Sequence, residues 1–189
     1  MVARSNRVSL NMNKEKLAIE IYKKAHLTGD FLLRSGQRSN EYFDKYLFEA
    51  DPKLLVAIIK QMKLLIPKNT ELLAGLEMGG IPLVTALSIE TGMPSAFVRK
   101  AAKEYGTCKI AEGGDISGKK ICVIEDVVTT GGQIIKSVQE IRNRGGIVEN
   151  VLCAIQRNPE ASEILAKEGL TLKPVLTMEY IKEAAKKAK

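Results

Sequence analysis

A short apolar segment near the middle of the chain constrains the fold more than any other. Residues 120–124 read Lys-Ile-Cys-Val-Ile, so apolar side chains follow one another without alternating with polar ones. Such a run is typical of a strand in a parallel sheet, because helices cover both faces of that sheet and bury both sets of side chains. We therefore predict a parallel strand here, between two layers of helices.

The segments around this strand alternate between strand and helix. Strands are predicted at 71–76, 95–98, 147–155 and 172–176. Helices are predicted at 52–66, after residues 79–82 as far as about 90, at 133–144 and at 159–168. A polar, glycine-bearing loop is predicted between 100 and 117. Alternating strands and helices predict an α/β fold, in which a central, mostly parallel sheet is flanked by helices.

The first fifty residues do not follow this alternation. One helix is predicted among them, from about Lys14 to Ala25. The chain has 189 residues, a comfortable length for one domain with a full core. We predict a single domain over 1–189, within which about 1–50 form a small N-terminal cap, or hood.

The charge of the chain favours anionic partners. Lys and Arg number 29 against 22 Asp and Glu, a formal net charge of +7. Nucleic acid, a membrane surface and phosphorylated metabolites all satisfy that condition. No apolar run reaches the roughly 18 residues of a membrane span, and no membrane partner is expected. The C-terminal lysines are expected to be solvated and to serve solubility: Lys182, Lys186, Lys187 and Lys189.

The cysteines indicate the cellular compartment. Cys108, Cys122 and Cys153 are odd in number and have no CxxC spacing. This predicts neither a disulfide framework nor a zinc site, and it favours the reducing cytoplasm. The single histidine, His26, is expected to be structural.

The segment after the central strand carries the strongest functional signal. Glu125 and Asp126 are expected at the carboxyl end of the strand, and Thr-Thr-Gly-Gly at 129–132 precedes a helix. Ligands bind at this edge of an open α/β sheet. Glycine N–H groups, threonine hydroxyls and a helix N-terminus suit a phosphate, whereas carboxylates suit the hydroxyls of a ribose. The pattern predicts a sugar-phosphate site, and it lacks the GxxxxGK[ST] and GxGxxG motifs of nucleotide loops.

The arrangement apolar-apolar-Glu-Asp-x-x-Thr-Thr-Gly-Gly resembles the phosphoribosyl pyrophosphate (PRPP) motif of the type I phosphoribosyltransferases. The resemblance implies that the two acids hold the ribose hydroxyls and that the loop binds the 5-phosphate. The PRPP-binding residues that it implies are Glu125, Asp126, Val127, Val128, Thr129, Thr130, Gly131, Gly132 and Gln133.

Two further segments extend the resemblance. Residues 29–44, GDFLLRSGQRSNEYFD, resemble a signature of the orotate phosphoribosyltransferases, in which Arg34 offers a cation to PRPP. Tyr42 and Phe43 offer flat faces to a flat ring. Residues 75–82, GLEMGGIP, resemble the pyrophosphate-binding loop of the family, although some relatives carry lysine where this chain has Gly79.

Residues 98–113, VRKAAKEYGTCKIAEG, resemble the mobile catalytic loop of the family. The resemblance implies that Arg99, Lys100, Lys103 and Tyr105 contact PRPP. Relatives carry either His or Tyr at the position of Tyr105. The residues expected to be catalytic are Lys103, Arg99, Lys100 and Asp126.

The segment after the strand at 147–155 concerns the acceptor. Relatives usually read Asp-Arg-x-x-Gly there, whereas residues 156–160 of this chain read Gln-Arg-Asn-Pro-Glu. The arginine, Arg157, matches, and the resemblance implies that it meets the carboxylate of the base. The residues expected to bind orotate are Thr129, Arg157, Tyr42 and Phe43.

The resemblance implies an activity as well as a fold. The implied reaction transfers ribose 5-phosphate from PRPP to orotate, and it gives orotidine 5'-phosphate and diphosphate in pyrimidine biosynthesis. Mg²⁺ is the implied cofactor, held mainly by substrate and water and not by a protein cage. A homodimer is implied, in which the loop that bears Lys103 serves the active site of the partner.

Two alternatives remain from the sequence. One is a phosphoribosyltransferase for another base, although Arg34 and Arg157 favour an acidic base such as orotate. The other is a ligand-sensing regulator that keeps this fold and binds nucleic acid. The chain shows no helix-turn-helix segment or appended domain, so no nucleic-acid partner is expected.

Overall fold

The computed structural model describes residues 12–33, 36–100 and 110–188. The helices are α1 (Lys14–Ala25), α2 (Lys45–Glu49), α3 (Pro52–Met62), α4 (Gly80–Thr91), α5 (Gly132–Asn143), α6 (Ala161–Ala166) and α7 (Met178–Lys187). The strands are β1 (His26–Leu32), β2 (Arg38–Phe43), β3 (Leu72–Leu76), β4 (Ser95–Val98), β5 (Ala111–Glu112), β6 (Lys120–Val128), β7 (Ile147–Gln156) and β8 (Thr171–Thr177). A short 3-10 helix, Lys63–Leu65, extends α3.

Six strands form one sheet in the order β5-β4-β3-β6-β7-β8. The pairs β4–β3, β3–β6, β6–β7 and β7–β8 are parallel, and only the two-residue β5 runs antiparallel to its neighbour. The predicted α/β fold with a central, mostly parallel sheet is therefore confirmed. The central strand β6 is buried from Ile121 to Ile124, as its uninterrupted apolar run predicts.

The side chains of β6 alternate between two layers of helices. Cys122 and Ile124 contact the layer built from α1, α3, α4 and α7, which also contains Leu17 and Ile181. Ile121 and Val123 contact the opposite layer, built from α5 and α6. Both faces of the strand are thus removed from water over residues 121–124, which explains why this part of the strand has no polar side chain.

The strand β6 extends further than its apolar run suggests. It continues to Val128, so Glu125 and Asp126 lie within the strand and not beyond its end. Asp126 is 1% exposed, whereas the neighbouring Glu125 is half-buried.

The order of the strands places a switch point between β3 and β6. From β3 the chain crosses α4 to β4 on one side, and from β6 it crosses α5 to β7 on the other. The turn after β3 and the loop after β6 therefore end beside each other at the carboxyl edge of the sheet. In open α/β sheets such a point leaves a crevice in which ligands bind.

The N-terminal segment contains a hairpin that the sequence did not predict. β1 and β2 pair antiparallel, with His26 opposite Phe43 and Leu27 opposite Tyr42, and the register shifts between Thr28 and Phe31. Most of its side chains are at least partly exposed, so the strands lack the apolar pattern that signals a buried sheet. The helix α1 has the predicted bounds and packs against α7, which the sequence also did not predict.

The helix α3 begins as its sequence predicts. The Asp51 carboxylate accepts hydrogen bonds from the backbone N–H groups of Lys53 (3.0 Å) and Leu54 (3.3 Å), and Pro52 occupies the first turn. These contacts satisfy two donors that have no partner within the helix. Among the helices of the described residues, none is both long and apolar enough to span a bilayer.

Candidate active site

A cleft of about 440 Å³ lies at the switch point between β3 and β6. Its walls come from the turn after β3, the end of β6, the loop that leads to α5, and the short helix α2 of the N-terminal segment. The residues that line it are Lys45, Tyr46, Glu77, Met78, Gly79, Lys100, Glu125, Asp126, Val127, Val128, Thr129, Thr130, Gly131, Gly132, Gln133 and Ile134. All nine residues of the predicted PRPP motif, 125–133, therefore meet in one cleft.

The loop after β6 presents donors to this cleft. Gly131 adopts a φ of 79°, a left-handed conformation that favours glycine, and α5 begins at the next residue. No side chain caps α5, so its first N–H groups are not occupied by a capping oxygen. Thr129 and Thr130 are exposed beside them. Free N–H groups, hydroxyls and the positive end of a 12-residue helix suit a phosphate group.

The pKa values of Glu125 and Asp126 are shifted in opposite directions. Burial raises the pKa of Glu125 well above its ordinary value, and the neighbouring Asp126 charge raises it further. Burial also opposes ionisation of Asp126, but the hydrogen bond from Glu125 and the ammonium of Lys45 outweigh it and lower the Asp126 pKa. The pair therefore combines an acid that ionises readily, Asp126, with one that holds its proton more strongly, Glu125, and carboxyl oxygens of both can meet sugar hydroxyls.

The helix α2 brings two further ionisable residues to Asp126. The Lys45 ammonium donates a hydrogen bond to Asp126 Oδ2, and the side chain of Lys45 remains 33% exposed to the cleft. Glu49, one turn later, is 6% exposed, and its pKa is raised to about 8 by burial and then by the charge of Asp126. Sequence reasoning missed both residues. The only available signal was that Lys45 directly follows the segment with the orotate signature.

The turn after β3 approaches Asp126 closely. The peptide bond between Glu77 and Met78 is cis. A Cβ atom built on Gly79 would lie 1.5 Å from Asp126 Oδ2, so glycine is required there while Asp126 keeps this position. A Cβ atom added at Gly75 would likewise collide with Val84, and one added at Gly80 would collide with the Ile124 carbonyl oxygen. At position 79, where some relatives carry lysine, any side chain would therefore collide with Asp126 as it is placed in this chain.

A second cavity, of about 860 Å³, adjoins the cleft. Thr129 and Thr130 line both, so the two spaces share a wall at the loop after β6. The other lining residues are Tyr22, His26, Leu32, Leu33, Ser39, Glu41, Tyr42, Phe43, Arg157, Met178 and Lys182. The four predicted orotate-binding residues, Tyr42, Phe43, Thr129 and Arg157, therefore lie around one cavity. Lys182 also lines it, whereas the sequence suggested a lysine that serves solubility.

Comparison with known proteins agrees with this geometry. Residues 49–180 match the family model described as "Phosphoribosyl transferase domain". An orotate phosphoribosyltransferase from Nocardioides sp. is 51% identical over 91% of this chain and 96% of its own length. The chain belongs to the orotate phosphoribosyltransferase family.

Solved structures of orotate phosphoribosyltransferases share the fold. The Mycobacterium tuberculosis protein aligns with a TM-score of 0.80 and 27% identity, over 89% of this chain and 98% of its own. The Aeropyrum pernix protein aligns with a TM-score of 0.76 and 32% identity, over 88% and 96% of the two chains.

The predicted catalytic loop of this phosphoribosyltransferase is described only at its two ends. Lys100 lines the cleft, and its backbone N–H donates to Glu77 Oε1 at 2.7 Å. The Arg99 side chain is directed to Glu112, 3.8 Å from Nε to Oε1, and it does not line the cleft. Lys103, Tyr105 and Arg34 lie outside the described residues, and their roles stay predictions.

Gln156 gives a physical account of the departure from the usual family pattern before Arg157. Its buried side-chain amide donates to the carbonyl oxygens of Asn158 and Pro159, both at 3.1 Å, and to Ser162 Oγ at 2.9 Å. A carboxylate accepts hydrogen bonds only, so it cannot bind the two carbonyl oxygens, although it could accept from the Ser162 hydroxyl. The amide therefore orders the turn after Arg157, whose own N–H donates to the Val128 carbonyl oxygen at 2.7 Å.

Proposed function

We propose that this chain catalyses the transfer of ribose 5-phosphate from PRPP to orotate, and that it releases diphosphate and orotidine 5'-phosphate. This is a pentosyltransferase reaction, and it belongs to pyrimidine biosynthesis. The observation that carries the proposal is the shared wall at Thr129 and Thr130, where a cleft suited to a sugar phosphate opens beside a cavity suited to a flat acid. A donor in one space and an acceptor in the other meet at that wall.

The cleft supports the following placement of the donor. The 5-phosphate lies on the N–H groups and hydroxyls of 129–133, and the ribose hydroxyls meet Asp126 and Glu125. The diphosphate extends toward the turn at 77–79 and toward Lys100. Arg34, Arg99, Lys103 and Tyr105 complete the predicted PRPP contacts. This placement brings each charged group of the donor to a partner of the opposite sign or to a donor N–H.

The second cavity supports orotate as the acceptor. Arg157 offers a guanidinium to the carboxylate of the base, and Tyr42 and Phe43 offer ring faces for stacking. Thr129 lies at the boundary with the cleft and offers a hydroxyl to the base. Lys182 adds a second cation to the wall. A cavity with two cations favours an acidic base over uracil or adenine.

The residues act by position and charge. A ring nitrogen of orotate attacks C1 of the ribose while the bond to the diphosphate oxygen breaks, and the proton of that nitrogen passes to the departing diphosphate or to water. Positive charge grows on the sugar and negative charge on the leaving group. Asp126, ionised beneath the ribose, stabilises the positive charge. Lys100 and the predicted loop cations Arg99 and Lys103 stabilise the diphosphate and exclude water. No side-chain nucleophile is required.

The donor set fits Mg²⁺ as the cofactor. Among the described residues, no three His, Cys, Asp or Glu side chains form a group that could hold a metal. Glu125 and Asp126 are the residues placed to meet the ion, directly or through water. Mg²⁺ commonly takes one or two carboxylates and completes its shell with substrate oxygens and water. When bound, the ion supplies charge neutralisation to the diphosphate.

We further propose that the chain is a single-domain homodimer of the cytoplasm. The domain spans 1–189 with a hood over about 1–50, and no nucleic-acid partner is involved. The proposal of a hood is supported by the hairpin β1–β2, because Tyr42 and Phe43 of this hairpin line the proposed acceptor cavity. In the dimer, the loop that bears Lys103 enters the active site of the partner.

The activity is tested by the loss of orotate absorbance when PRPP and Mg²⁺ are added to the chain. We expect turnover with orotate, and little release of pyrophosphate with adenine or uracil. The variant Asp126→Asn keeps the shape of the side chain, and we expect it to lower turnover by about 100- to 1000-fold. Turnover of another base in preference to orotate, or salt-dependent DNA or RNA binding without turnover, contradicts the proposal.

A further inference from the structure

Lys45 belongs to the N-terminal segment, yet its side chain reaches the centre of the cleft. Its ammonium is hydrogen-bonded to Asp126, 81 residues away, and it lies 5.1 Å from the centroid of the Tyr46 ring. The Lys45 side chain keeps 33% of its surface exposed, whereas Asp126 keeps 1%. The ammonium is therefore open to a ligand that enters the cleft, although it is held by a buried acid.

The position of Gly79 shows which part of the cleft Lys45 occupies. Lys45 donates to Asp126 Oδ2, and this same oxygen lies 1.5 Å from where a Cβ of Gly79 would be. The ammonium and the turn at 77–79 are thus neighbours on one carboxylate oxygen. The 5-phosphate loop lies beyond Asp126 in the chain and begins at Thr129. Lys45 is therefore at the diphosphate end of the donor.

The turn itself has no cation to offer. Residues 75–82, GLEMGGIP, contain neither lysine nor arginine. Of the described residues that line the cleft, the cations are Lys45 and Lys100. A diphosphate carries several negative charges, and a cleft that also contains Glu77, Glu125 and Asp126 needs positive charge close to it. Lys45 is the one of these two cations that comes from the N-terminal segment.

We propose that Lys45 leaves Asp126 and binds the diphosphate group when PRPP enters, so that the hood contributes a donor-binding residue. No charged group loses its hydrogen-bond partners in this exchange. The ribose hydroxyls donate to the carboxylate that the ammonium leaves, and the ammonium donates to phosphate oxygens instead. The four-carbon stem of lysine permits this movement without a change in α2. The inference rests on the proposed function and names a residue that its motifs do not include.

The test compares three probes on the variant Lys45→Met, which keeps the length and apolar stem of the side chain. Calorimetry with Mg²⁺ measures the affinity for inorganic diphosphate, for ribose 5-phosphate and for PRPP. We expect the affinities for diphosphate and PRPP to fall by about ten- to a hundredfold. The affinity for ribose 5-phosphate is expected to change by less than about threefold, since that ligand has no diphosphate group.

Two variants serve as controls. Lys53→Met removes an exposed lysine of the neighbouring helix α3 that does not line the cleft, and it is expected to leave all three affinities unchanged. Lys45→Arg keeps the charge, and it is expected to restore part of the diphosphate affinity. Thermal unfolding of each variant is measured in parallel, so that a loss of folding is separated from a loss of binding.

The outcomes divide clearly. If Lys45→Met weakens ribose 5-phosphate as much as diphosphate, or leaves diphosphate binding intact, Lys45 only accompanies Asp126 and the proposal is overturned. If Lys45→Arg is folded but binds diphosphate no better than Lys45→Met, the charge is not what matters, and the proposal also fails. A wild-type chain that binds neither PRPP nor diphosphate overturns the proposed function itself.

Discussion

Glu49 is the residue whose chemical state departs most visibly from what its sequence context suggests. It lies on the last turn of a five-residue helix and is 6% exposed, and its Oε1 has no hydrogen-bond partner among the described residues. Burial and the charge of Asp126 raise its pKa to about 8. At neutral pH this carboxyl is therefore mostly protonated, which avoids a further negative charge beside Asp126.

This raised pKa makes stability depend on pH. The folded chain retains a proton on Glu49 that the unfolded chain releases near its ordinary pKa of about 4.5. Below that pH, the contribution of Glu49 to the free energy of unfolding is therefore fully present. It is lost as the pH rises toward 8. The glutamine of the variant Glu49→Gln cannot ionise. We therefore expect the unfolding free energy of the variant, relative to that of the wild type, to rise from pH 5 to pH 8 by about 1–3 kcal/mol.

Urea unfolding of both chains at several pH values measures this difference. Glu183→Gln, at an exposed position of α7, provides the matched control and is expected to follow the wild-type curve. Parallel pH profiles for wild type and Glu49→Gln would show that Glu49 is ionised in the folded chain.

At the scale of elements, the unit β3–turn–α4 depends on close backbone approach. Cβ atoms built on Gly75 and Gly80 would lie 2.4 Å from Val84 Cγ1 and 2.5 Å from the Ile124 carbonyl oxygen. Glycine at these positions lets α4 sit directly on the sheet beside β6. The turn at 77–79 is then brought against Asp126, so that the packing of one helix determines the width of the cleft.

We expect Gly79→Ala to displace Asp126 and to weaken the donor site. The backbone of Gly79 (φ −68°, ψ −28°) suits alanine, so the effect comes from the Cβ at 1.5 Å from Asp126 Oδ2. The expected loss in PRPP affinity is about ten- to a hundredfold, with a cost in unfolding free energy of about 1–3 kcal/mol. Calorimetry and urea unfolding measure the two quantities.

Gly114→Ala is the control for this prediction, since its added Cβ meets only Leu72 Cδ1 at an ordinary 3.9 Å. It is expected to bind PRPP as the wild type does. If Gly79→Ala also binds PRPP normally, Asp126 can move without consequence, and the close contact has no role in the site.

At the scale of the whole molecule, the site is assembled from distant parts of the chain. The acceptor cavity joins the hairpin at Tyr42, the loop at Thr129, the segment at Arg157 and the C-terminal helix at Lys182. The hood and the C-terminus belong to one unit, because α1 packs against α7. The proposed dimer adds a further part, the loop of the partner.

We expect two inactive chains to restore activity to each other if that loop crosses between subunits. Lys103→Ala lacks the loop cation, and Asp126→Asn lacks the ribose carboxylate. Half of the randomly mixed dimers contain both chains, and each of these has one complete site, so recovery of at most about a quarter of wild-type turnover is expected. Subunit exchange is verified by native mass spectrometry with one tagged chain. No recovery in confirmed mixed dimers places the loop in its own active site.

Much of the fold and part of the site were predictable because their signals are local. The buried strand, its helices and the caps such as Asp51 follow from short apolar patterns and single side-chain preferences. The motif at 125–133 is contiguous, and its residues reach one cleft through a single turn. The hairpin β1–β2 has no such apolar pattern, because its side chains are exposed or half-buried. The helix α7 was not predicted, because its lysines were interpreted as residues that serve solubility.

By itself, the sequence determined the parallel sheet, the family and the motif at 125–133 that lines the cleft, since each depends on residues that are neighbours in the chain. Only the tertiary structure decided that Lys45 and Glu49 meet Asp126, and that Lys182 joins Arg157 around one cavity. Such pairings are fixed by the order of the strands and by the packing of α1, α2 and α7. No local pattern of side chains records a contact between residues that the fold brings together from opposite ends of the chain.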